Sequence, residues 1–151
     1  MAGKGSKSAD GFSAQERAAM KERAAELKAE ARRAREADKA AADEADVLAK
    51  IAEMPQEDRS LAKRVHSIVK KAAPELAPKL YYGQPGYARD GKVLCFFRSG
   101  QMDKERYSTF GFSAQAALDD DSGVWATSFA LIEPTDAAWK KLGDLVKHAV
   151  T

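Results

Sequence analysis

The chain has 151 residues, of which 44% are apolar and 32% charged, and its 25 basic and 23 acidic residues leave a formal charge of +2. That length suits one compact domain with an extension, and the near-balanced charge predicts no strong sequence-independent attraction to nucleic acid. A single cysteine, Cys95, excludes an internal disulfide and a thiolate zinc cluster.

Residues 1–12 are mostly small and polar, which predicts a disordered tail without the apolar core of a secretion signal. No apolar run approaches the roughly 20 residues that span a bilayer, so the expected location is the cytoplasm.

Ser13-Ala14-Gln15-Glu16 matches a capping box, and residues 13–54 then read as one Ala/Glu/Lys/Arg-rich helical extension without proline or glycine. About forty residues at 1.5 Å each would make a rod of roughly 60 Å. Arg32–Glu36 and Asp46–Lys50, four apart, are expected pairs. Met20, Ala24, Leu27, Ala31, Ala34, Ala41, Ala45 and Leu48 trace a heptad seam, but alanine buries little area and a solvated helix is the better reading. Val47, Leu48, Ile51 and Met54 are expected to dock on the globular part.

Lys28, Arg32, Arg33 and Arg35 form a basic cluster that could contact a nucleic acid or a protein partner. Against this, residues 1–53 carry eleven basic and eleven acidic residues, which favours a charged, solvated face.

Residues 55–151 read as the globular domain. Pro55 opens a second helix, to about Ala73, with Leu61, Val65, Ile68, Val69 and Ala72 on one face and Asp58 elsewhere. His66 is expected at the surface. Lys79 to Gly83 reads as a strand, Gln84-Pro85-Gly86 as a tight connection and Asp90-Gly91 as a hairpin turn. Val93 to Phe97 is apolar almost throughout, as in a central strand covered on both faces, and Cys95 within it is expected to be a buried hydrophobe.

Ser99 to Glu105 reads as a loop, Arg106 to Phe112 as a strand, and Ser113 as the cap of a short helix. Asp119, Asp120 and Asp121 are expected in a solvated loop, because consecutive carboxylates point apart rather than converging on a cation. Val124 to Ile132 reads as the last strand, with Trp125 and Phe129 on one face, and Thr135 as the cap of a final helix buried through Trp139, Leu142, Val146 and Ala149.

From about Lys70 onward the chain resembles the YdhG-like domain family. The matching elements are Ala73-Pro74-Glu75, Tyr82-Gly83-Gln84-Pro85-Gly86-Tyr87, Gly91-Lys92 and the apolar run Val93 to Phe97, followed by the aromatic strand and C-terminal helix in the family's order. Tyr82 stands where the family usually has tryptophan, Gln84 where it often has methionine, and Ser122 to Trp125 departs from the family's pattern. The resemblance implies an α+β fold with a largely antiparallel sheet packed with helices. It also implies possible iron binding, because some members are described as frataxin-like iron chaperones; no motif here fixes iron ligands, and the cofactor stays open.

With two histidines, one cysteine and neither a nucleophile elbow nor a phosphate-binding glycine loop, a non-enzymatic binding domain is expected. Its candidate ligand-binding residues are Tyr82, Tyr87, Phe96 and Phe110 as aromatic walls, with Lys92 as a positioned cation. The alternative is an interaction protein that works through the charged N-terminal helix.

Overall fold

The structure is a computed structural model that describes residues 13–151, so the tail expected over residues 1–12 lies outside the described residues. The elements are α1 (Ala14–Glu53), α2 (Gln56–Ala72), β1 (Ala77–Tyr81), β2 (Gln84–Arg89), β3 (Lys92–Arg98), α3 (Gly100–Asp103), β4 (Ser108–Phe112), β5 (Ser128–Leu131) and α4 (Asp136–Ala149). This is an α+β fold with one five-stranded sheet in the order β1-β2-β3-β4-β5, antiparallel throughout. Among the described residues no helix is long and apolar enough to cross a membrane.

The chain divides into two compact units between Lys39 and Ala40. In the first, the capping box closes as its spacing dictates: Glu16 N donates to Ser13 Oγ at 3.0 Å, and Ser13 N to Glu16 Oε1 at 3.1 Å. Met20 and Leu27 of the alanine seam are half exposed. Arg23 pairs with Glu26 at 3.0 Å, while Arg32 makes no ion pair with Glu36.

The second unit begins with the last turns of α1. Val47, Ile51 and Met54 are buried in its core, whereas Leu48, one residue and about 100° round the helix from Val47, lies at the margin of that stripe and is 48% exposed. Lys50 pairs with Glu53 rather than Asp46. In α2, Ala62, Val65 and Val69 are buried, and α4 packs beside α2. Thr135 caps α4 by accepting from Ala138 N at 3.2 Å, and Trp139, Leu142, Val146 and Ala149 form its buried stripe.

Strand alternation sends Tyr87, Cys95, Phe97, Phe110 and Phe112 to the helix-covered face, where they meet the buried stripes of α2 and α4. The opposite face carries the row Lys79, Gly86, Phe96, Gly111 and Ser128. It was expected to be covered, but Phe96 is only half-buried and Ser128 is exposed. Phe96 lies across Gly111, where a Cβ would come within 2.5 Å of its ring, and stacks on Tyr81 at 5.2 Å between centroids.

The first hairpin turns at Tyr82-Gly83 and not at Gln84-Pro85-Gly86. Tyr82 and Gly83 take φ of 48° and 79°, the two left-handed positions of a type I′ turn, and residues 84–86 belong to β2. Asp90 and Gly91 form the second such turn, with φ of 53° and 78°. Three further expectations are corrected. The 99–105 loop contains the single turn of α3, capped by Ser99; no helix follows Ser113; and β5 is confined to Ser128–Leu131, which leaves Trp125 outside the sheet and 41% exposed. Ser113 instead donates to Val93 O at 2.6 Å and accepts from Gln115 N, a local turn that competes with helix.

Candidate functional site

The five aromatic and basic candidates do not line a common cavity. Tyr87 and Phe110 are buried in the helix-covered core, Phe96 lies on the opposite sheet face, Tyr82 is 82% exposed at the first turn, and Lys92 is exposed at the second hairpin.

What surrounds Tyr87 is a polar chain that the sequence did not announce. His66 reaches the Tyr87 hydroxyl through Nδ1 at 2.9 Å and Glu44 Oε2 through Nε2 at 3.2 Å, and Lys70 Nζ donates to the same carboxylate oxygen at 2.6 Å. His66 is therefore not a surface residue; its side chain is 12% exposed. Burial pushes its pKa down, burial also pushes the Tyr87 phenol far up, and the Lys70 ammonium holds Glu44 below the usual carboxylate range. The hydrogen-bond partners assign the protons of the neutral ring. Glu44 as a carboxylate can only accept, so Nε2 carries the proton of the neutral ring and Tyr87 donates to Nδ1. Both histidine nitrogens are committed. Cys95, also fully buried, has its thiol pushed far up by burial.

A cleft with a cavity volume of about 740 Å³ lies elsewhere. Three separated stretches wall it: the start of α2 (residues 56–64), the segment from α3 into β4 (residues 100–108), and the β5–α4 connection with the first turn of α4 (residues 131–139). Its floor is fixed by hydrogen bonds. Buried Asp58, expected to project away from the core, accepts from Ser99 Oγ at 2.5 Å and from Gln101 N at 2.9 Å, and Ser108 Oγ accepts from Gly100 N at 3.0 Å. Only glycine fits at position 100, since a Cβ there would stand 2.5 Å from the carbonyl of Tyr107. Behind this floor Arg98 grips Asp103 with two nitrogens, at 2.9 and 2.8 Å, and Gln84 Nε2 adds a contact at 2.8 Å. The arginine holds the Asp103 carboxyl below its ordinary range.

Two guanidinium groups border the cleft on aromatic rings: Arg64 stands 5.3 Å from the Trp139 centroid and Arg106 5.1 Å from that of Tyr107. Arg64 also faces Asp136 at 3.8 Å, a long contact to a fully exposed carboxylate. Glu57, Glu105 and Glu133 line the same cleft and make no ion pair among the described residues. Glu133 adopts φ of 46°, a left-handed conformation that costs a non-glycine residue about 1–3 kcal/mol. Sequence reading missed this cleft because Trp139 registers in it only as core. The one signal available was the density of arginine, glutamate and aromatic side chains around Glu105-Arg106-Tyr107 and Glu133.

Among the described residues no group of three or more His, Cys, Asp or Glu side chains is arranged to hold a metal ion. Asp120, within the three-aspartate run, accepts from Ser122 through both its amide and its hydroxyl. In the first unit, Lys28, Arg32, Arg33 and Arg35 are exposed along α1. Comparison with protein-family models, with curated proteins and with solved structures finds no match for this chain.

Proposed function

We propose that the protein is a non-enzymatic, cytoplasmic binding domain of the YdhG-like type that takes a small organic ligand in the cleft between α2, the α3–β4 segment and the β5–α4 connection. The observation that carries this reading is the cleft itself. Its volume of about 740 Å³ falls in the range of ligand sites, and apolar groups such as Leu61, Ile132, Pro134 and Trp139 are interspersed in its lining with a larger number of polar and charged side chains. The non-enzymatic part is supported by how the reactive groups are used: Cys95 is sealed in the core, and His66 spends both nitrogens on structural hydrogen bonds. Iron remains the ligand implied by resemblance alone.

The test is NMR titration of the isotopically labelled chain with benzoate, phenethylamine and phenylalanine, beside calorimetric titration with Fe(II) and Fe(III). The cleft reading expects saturable shifts at Tyr107, Ile132 and Trp139 with at least one organic probe. Shifts confined to Tyr82, Lys92 and Phe96 would move the site to the hairpins, and saturable iron binding without cleft shifts would replace the organic ligand by the metal.

A further inference from the structure

We infer that the cleft accommodates a short peptide with both ends charged, its carboxylate on the ring-stacked arginines and its ammonium on the unpaired glutamates. This rests on the reading of the cleft as the binding site and names its ligand class.

Charge of both signs on one set of walls is the first argument. The Arg64 and Arg106 guanidinium groups each lie over an aromatic ring, and each has N–H groups to offer a planar acceptor such as a carboxylate. Arg64's present partner, the fully exposed Asp136 at 3.8 Å, is screened by water and readily displaced. Glu57, Glu105 and Glu133 line the same cleft without ion-pair partners among the described residues. A purely anionic ligand would meet uncompensated glutamates, and a purely cationic one uncompensated arginines. A ligand that carries one charge of each sign satisfies both sets.

Size and apolar surface supply the rest. A cavity of about 740 Å³ is far larger than one amino acid, and Leu61, Ile132 and Pro134 give it apolar wall for side chains between the two charged ends. Ile132 is 59% exposed, an apolar surface at the cleft with nothing packed over it. Glu133 brings its carboxylate to the wall from a left-handed backbone position directly before Pro134 in the β5–α4 connection.

The experiment is calorimetric and NMR titration of the full chain with the tripeptide Leu-Ala-Leu in four forms: free, N-acetylated, C-amidated and capped at both ends. The free form is expected to bind saturably with shifts at Tyr107, Ile132 and Trp139, and capping either end to weaken it about tenfold or more, the loss of one charged hydrogen-bond set. Arg106→Ala should weaken the free peptide but not the C-amidated one, and Glu133→Gln should weaken the free peptide but not the acetylated one. Equal affinity for free and doubly capped peptide would overturn the charged-ends inference and leave the cleft reading standing, as would cleft binding of benzoate or phenethylamine without any of the peptides. No cleft shift from any of these probes would overturn both.

Discussion

The Tyr87 hydroxyl, wholly buried between sheet and helices, donates at 2.9 Å to His66 Nδ1, the ring nitrogen left unprotonated because Nε2 donates to the Glu44 carboxylate. Tyr87→Phe keeps the ring in place and removes only this bond, leaving the imidazole nitrogen without a partner. The expected cost is about 1 kcal/mol. Urea unfolding should show a lower midpoint with an unchanged slope, because the surface exposed on unfolding stays the same.

The same chain sets a pH dependence. Burial lowers the pKa of His66 in the folded protein, so the unfolded chain takes up a proton first as the pH falls below the ordinary value of 6.5. Stability is thus fully present above that value and declines as the pH drops from it through the lowered folded pKa. Glu44, held down by Lys70, adds a second loss below its ordinary value of 4.5. Histidine titration followed by NMR should place His66 below 6.5, and Glu44→Gln should move it lower still, because the carboxylate is what favours the protonated ring. A His66 value above 6.5 would contradict this account.

Much of the fold follows from signals local in the chain, and interactions between distant residues account for the rest. Ser13 and Thr135 cap their helices because capping depends on residues three positions apart, and Asp90-Gly91 turns because those residues tolerate positive φ. Gln84-Pro85-Gly86 has stronger turn residues than Tyr82-Gly83, yet the chain turns at Tyr82-Gly83. Gly86 is needed instead inside β2, where a Cβ would come within 2.7 Å of the Tyr81 Cβ. His66 could not be placed from its neighbours, since its partners Glu44 and Tyr87 lie 22 residues before and 21 after it. The cleft is hidden for the same reason: its three walls are separate stretches, and its tryptophan also serves the core.

Two glycines should respond oppositely to the same substitution. Gly143 lies inside α4, and the nearest atom to an added Cβ is the Ile68 side chain at 3.5 Å, ordinary contact distance. Gly143→Ala is therefore expected to stabilise by about 0.5–1 kcal/mol through reduced backbone entropy of the unfolded chain. At Gly100 the added Cβ would meet backbone atoms of Tyr107 at 2.5 Å, which cannot move without breaking the start of β4. Gly100→Ala should cost about 1–3 kcal/mol. Thermal unfolding of the two variants should shift in opposite directions, and a stabilising Gly100→Ala would show that the α3–β4 segment is not held as described.

Asp58 is the group on which the cleft floor depends. Its buried carboxylate accepts from the Ser99 hydroxyl and the Gln101 amide, tying the first turn of α2 to the single turn of α3. Asp58→Ala strands both donors in a site that water reaches poorly, and the expected cost is about 2–3 kcal/mol. Asp58→Asn keeps an accepting oxygen of nearly the same shape and should cost less, about 1 kcal/mol, by losing the charge from the hydrogen bonds. Amide hydrogen exchange gives a sharper readout than global stability. In Asp58→Ala the Gln101 amide should lose protection, while the Tyr87 and Cys95 amides of the central strands change only by the global amount. Equal loss of protection at all three would mean that Asp58 supports the whole domain rather than the cleft floor.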